Sequence, residues 1–141
     1  MEIKSSLDIA KLLNRYFDER ALSSLPQNPT VFEFGQVQFA DDLVTMVNGK
    51  PVIPKDIPGN LAALKNVFLT VDAVYTYLNG TIYVKATIPA GKIKEGEQHR
   101  FCSAGILDGK KGLIAVGVSQ PVWMYSGRSL VVEFEINTNI A

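Results

Sequence analysis

The chain has 141 residues, 47% of them hydrophobic, with 14 basic and 14 acidic residues that cancel and a single cysteine. That length and apolar content suit one domain, burying roughly 70% of its unfolded surface with no need of a metal or disulfide. Lys92, Lys94 and Lys110-Lys111 are interrupted by Glu95, Glu97 and Asp108, so no basic stripe exists to neutralise phosphates, and a nucleic-acid partner is excluded.

The opening Met-Glu-Ile-Lys-Ser-Ser lacks the basic patch and apolar core of a signal peptide. No apolar run approaches the roughly 20 residues of a membrane span. Synthesis in the cytoplasm, with no membrane span, is the expectation. Ser5 or Ser6 caps an expected helix over residues 6–21, whose Ile9, Leu12, Leu13, Tyr16 and Phe17 form one apolar stripe. Asp8 near its start and Arg15 and Arg20 toward its end agree with the helix dipole. Pro26 and Pro29 stop it.

Residues 31–39 are rich in β-formers, with Gly35 marking a bulge or a close backbone approach. Asn48-Gly49, Pro51, Pro54 and Pro58-Gly59 make residues 48–60 a loop, and residues 61–64 suit one helical turn. Residues 67–78 form a strand, Asn79-Gly80 a type I′ turn, and residues 81–89 the returning strand. Ile82, Val84, Ala86 and Ile88 alternate with Thr81, Tyr83, Lys85 and Thr87, which predicts one buried and one open face. After a charged loop at 90–97, strands at 98–107 and 113–118 flank the turn Asp108-Gly109-Lys110-Lys111-Gly112. Residues 122–125 carry Val, Trp, Met and Tyr, and Ser126-Gly127 turns the chain into a last strand at 130–137. Glu133 and Glu135 on that strand discourage edge pairing. The expected fold is mainly β (α+β): an antiparallel sandwich-like domain of about six strands with one N-terminal amphipathic helix. It divides into a helical segment (1–25), a strand and long loop (26–60) and a β domain (61–141) within a single domain.

Chemistry-bearing groups are few. His99 and Cys102, the sole members of their types, are three apart on a strand and point to opposite faces, so Cys102 is read as a buried small residue. Asp41-Asp42 has no third ligand at metal spacing. Gly105, Gly109, Gly112 and Gly117 lie between strands, where they make turns and close packing instead of a phosphate loop. No catalytic, cofactor or metal residue is assigned, and no enzyme activity is expected. Trp123 and Tyr125 stand open to three readings: core, protein interface or sugar-stacking platform.

Residues 61–66 (Leu-Ala-Ala-Leu-Lys-Asn), 81–89 (Thr-Ile-Tyr-Val-Lys-Ala-Thr-Ile-Pro), 105–108 (Gly-Ile-Leu-Asp) and 112–117 (Gly-Leu-Ile-Ala-Val-Gly) occur in an informative order. With the closing strand they give a stretch, residues 58–137, that resembles the N-terminal, particle-attaching domain of phage tail-collar fibre proteins. The resemblance implies a structural virion protein of a phage tail or tail-like particle that associates as a homo-oligomer, a trimer as in three-chained fibres. Because the chain stops where a fibre shaft begins, it implies a fibre adaptor or baseplate-proximal component that contacts baseplate and fibre subunits. Leu12, Tyr16, Phe17, Trp123, Met124 and Tyr125 are then the candidate interface, and Asn79, Gly80, Asp108, Gly109 and Gly112 the structural turns. A small carbohydrate- or ligand-binding β module, using Trp123 and Tyr125 for receptor recognition, is the alternative.

Overall fold

The computed structural model describes residues 2–27 and 31–138. From the N-terminus these residues form β1 (Glu2–Ser5), β2 (Ile9–Leu12), α1 (Asn14–Ser23) and β3 (Phe34–Ala40). A short ribbon of β4 (Thr45–Val47) and β5 (Lys50–Val52) comes next. Then follow β6 (Val67–Val71), β7 (Ala73–Leu78), β8 (Thr81–Ile88), β9 (Gln98–Asp108), β10 (Leu113–Tyr125) and β11 (Leu130–Asn137). One sheet has the order β1-β11-β8-β7, a second β2-β10-β9-β3-β6, and every pairing is antiparallel.

The two sheets face each other across one apolar core. Val84, Ala86, Ile88, Val132, Phe134 and Ile136 of the four-stranded sheet meet Val37, Phe39, Phe101, Ile106 and Met124 of the five-stranded one. The outer face of the five-stranded sheet is also covered. Leu107, Leu113, Val116 and Val118 pack there against Leu13, Ile57 and Leu64. Burial on both faces explains why residues 101–108 and 113–118 run without polar alternation. The four-stranded sheet is covered on one side only, and β8 keeps the alternation read from its sequence.

Several sequence expectations are corrected. The helix begins at Asn14, not residue 6, and the segment before it is two strands. β1 extends the four-stranded sheet beside β11 and β2 extends the five-stranded sheet beside β10. Cross-strand pairing there outweighs a helix that would be marginal alone. The apolar stripe is real but is shared out: Leu12 enters the inter-sheet core, while Leu13, on the opposite side, joins the outer cluster. Neither serine caps α1; Leu13 is the capping residue and makes no side-chain cap bond. Ser5 Oγ instead accepts from Leu7 N, and Asp8 accepts from Gln120 N. The helix ends at Ser23, before Pro26; Pro29 lies outside the described residues.

About six strands become eleven among the described residues. The loop at 48–60 contains β5, joined to β4 by Asn48-Gly49 with φ of 52° and 76°. Residues 61–64 form no helical turn. The strand expected at 67–78 is divided at Asp72, where the chain passes from one sheet to the other. Residues 113–118 and 122–125 belong to one long strand, β10. β11 lies between β1 and β8, so Glu133 and Glu135 guard no edge.

Candidate docking surface

The Trp123 segment owes its orientation to a bulge. Val118 faces the outer cluster, whereas Val122 and Met124 face the inter-sheet core. Four residues along a regular strand keep one face, so the register shift between Val118 and Val122 has flipped it. Pro121, which has no N–H to give a ladder, lies within that shift. The flip buries Met124 completely and turns Trp123 and Tyr125 outward, 55% and 48% exposed.

Opposite these two rings on β9 stand Arg100 and Gln98. Arg100 Nε donates to Asp41 at 2.8 Å, and an Arg128 guanidinium nitrogen donates to the Trp123 carbonyl at 3.2 Å. The result is two aromatic side chains on one strand face, bordered by two arginines.

A second exposed apolar group lies on α1. Tyr16 is buried among Phe17, Phe32 and Phe34, with Arg20 over its ring at 5.5 Å. Phe17, Leu22 and Leu25 remain about half exposed. Arg15 Nε donates to Asp108 at 2.7 Å and Lys110 pairs with Glu19 at 3.4 Å, which anchor the helix to the β9–β10 turn. Of the six candidate interface residues, Leu12, Tyr16 and Met124 are therefore part of this chain's own core. Phe17, Trp123 and Tyr125 stay available at the surface.

The expected turns are in place. Asn79 and Gly80 have φ of 48° and 84°, the left-handed pair a type I′ turn needs. Asp108 accepts from the amides of Lys110 and Gly112, and Gly109 N donates to Glu33 O. A side chain at Gly112 would collide with the Arg15 guanidinium.

The other polar candidates are structural. Asp42 accepts from the backbone amides of Lys65 and Asn66 and so ties the outer covering segment to β3. The His99 ring stacks on Phe68 at 4.9 Å. Cys102 is fully buried, with its thiol against Asp41 and the Asp42 carbonyl. Burial, then the hydrogen bond and charge of Asp41, push that thiol up to about 11. Little thiolate forms at neutral pH, so the group is no nucleophile. Among the described residues no cluster of three or more His, Cys, Asp or Glu side chains is arranged for a metal ion, and no helix is long and apolar enough to cross a membrane.

The model of the family described as Bacteriophage P1 tail fiber protein R matches residues 3–141. This chain belongs to that family. Tail fiber protein R of Escherichia phage P1 is 27% identical over 142 residues, covering 99% of both chains. No solved structure matches.

Membership in the tail fiber protein R family extends the phage tail-fibre resemblance beyond residues 58–137. At the N-terminal side it takes in residues 3–57, which hold β1, β2, α1, β3 and the β4–β5 ribbon, so these belong to the family's pattern. Two exposed apolar groups escaped sequence reasoning. Met46, Val47 and Val52 lie on the β4–β5 ribbon, and Val74, Tyr77 and Leu78 on β7. The signal for the ribbon was present in Asn48-Gly49, the same dipeptide that marks the β7–β8 turn.

Proposed function

We propose that this chain is a structural, non-catalytic protein of a phage tail or tail-like particle, which attaches a tail fibre or joins it to the baseplate through protein–protein contacts. It acts as a single domain and as a homo-oligomer, and its site of action is the virion tail. Family membership across residues 3–141 supports a tail-fibre role. The observation that carries the contact mechanism is the outward pair Trp123 and Tyr125. Trp, Tyr and Arg lead among the anchors of protein interfaces, and Arg100 and Arg128 border these rings.

The test is assembly of particles with and without the chain, followed by electron microscopy with a gold-labelled antibody. Label at the fibre–tail junction, and fibreless particles when the chain is withheld or carries Trp123→Ala with Tyr125→Ala, is the expected outcome. Fully fibred particles that contain none of the chain by mass spectrometry would defeat the proposal.

The same pair supports a second reading, a carbohydrate-binding module for receptor recognition. Two exposed aromatic rings on one strand face suit stacking on a sugar. Glycan-array binding that disappears in Trp123→Ala while fibre attachment persists would favour it.

A further inference from the structure

The open edge of the four-stranded sheet carries an inference independent of tail attachment. Among the described residues, strand β7 is the last member of that sheet and pairs with β8 alone. The two-residue turn makes Leu78 and Thr81 a hydrogen-bonded pair, and bonding alternates along the ladder from there. Thr76 and Val74 therefore bond to β8, while the N–H and C=O groups of Tyr77, Tyr75 and Ala73 point away from the sheet.

Natural sheets shield such a row with a charge, a proline, a bulge or a cover. β1 carries Lys4 and β2 carries Lys11, and the side chains of β6 are mostly half-buried, with Phe68 under His99. β7 has the sequence Ala-Val-Tyr-Thr-Tyr-Leu, without charge or proline, and an unbroken register to β8. Val74, Tyr77 and Leu78 are each more than half exposed.

We propose that β7 pairs antiparallel with β7 of a second copy of this chain, about a two-fold axis at Tyr75. That register sets Tyr75 against Tyr75 of the second copy, and Ala73 against Tyr77 in both directions. All the outward-pointing backbone groups are then satisfied. A shift of the axis to Thr76 instead places Ala73 opposite the Asn79 turn. About Tyr75, Val74 faces Thr76 of the second copy on the outer surface, so like sides of the pleat meet. Every opposed pair is uncharged, and no repulsion between like charges opposes self-pairing. The four-stranded sheet continues into its copy.

Sedimentation equilibrium of the full chain tests this, with far-ultraviolet circular dichroism to verify folding of each variant. The wild-type chain should sediment as a dimer. Tyr77→Pro removes an N–H that faces only the second copy and leaves the β7–β8 ladder intact; it should weaken the dimer roughly tenfold or more. Val74→Glu should weaken it as well, while its carboxylate lies opposite Lys85 within the chain. Adding Thr76→Lys to Val74→Glu sets opposite charges against each other across the axis, twice, and should restore the dimer. A monomer at every concentration, a trimer, a dimer indifferent to Tyr77→Pro and Val74→Glu, or no rescue by the double change would each overturn the proposal. Its failure leaves the labelling test of tail attachment unaffected.

Discussion

Asp108 joins the β9–β10 turn to helix α1, and its ionisation is tied to folding. Burial raises the tendency of its carboxyl to stay protonated, but the Arg15 hydrogen bond and the amides of Gly112 and Lys110 outweigh that and hold it below the ordinary 3.8. A carboxyl depressed in the folded state adds stability above its unfolded value and loses it as pH falls through the folded value. The urea midpoint of the wild-type chain should therefore drop as pH falls below about 4. Asp108→Asn should cost roughly 1–3 kcal/mol at neutral pH and flatten the acid dependence. Cys102 should resist thiol reagents in the folded chain and react once urea exposes it, as its raised ionisation and full burial require. Gly35 was legible in sequence as a special position. The structure supplies the reason: a Cβ there would lie 2.5 Å from the Asp108 carbonyl oxygen. Because that neighbour is backbone, Gly35→Ala should lower stability by about 2 kcal/mol or more, measured by urea titration.

At the scale of elements, legibility followed the number of covered faces. β8 and β11 face solvent on one side, so their alternation revealed both existence and direction. The N-terminus misled because Ile9, Leu12, Leu13, Tyr16 and Phe17 have helical spacing across a strand–helix junction. Strand pairing of residues 2–12 depends on β10 and β11, more than a hundred residues away, and no local pattern carries that information. The bulge at Pro121 is similar: the proline was visible, but its consequence for Trp123 needed the register with β9. Helix α1 has Tyr16 as its one buried side chain. Tyr16→Ala should cost about 3–5 kcal/mol, while Phe17→Ser, which removes a half-exposed ring packed edge-on against Tyr16, should cost less, about 1–1.5 kcal/mol. Thermal melts of the two variants check this contrast.

For the whole molecule, both flanks of the sandwich are built by a chain that crosses between sheets. β1 and β2 do so at one flank, and β6 and β7 do so around Asp72 at the other. Removing residues 2–12 strips an outer strand from each sheet and takes Leu12 from the core. Such a truncation should lose cooperative unfolding, seen as a broad or absent circular-dichroism transition, instead of merely melting earlier. Family resemblance was readable over residues 58–137 because β-strands and turns leave local signatures. Residues 41–57 of the covering segment offered only the Asn48-Gly49 turn, since the burial of Ile53 and Ile57 is created by the sheet beneath them.

Glu2 stands directly across from Asn137, and Thr138 N is held by the Gly80 carbonyl at 2.7 Å. Both extremities of the described chain thus emerge side by side at one pole. Tension applied between them would peel β1 from β11 rung by rung, a low-force route.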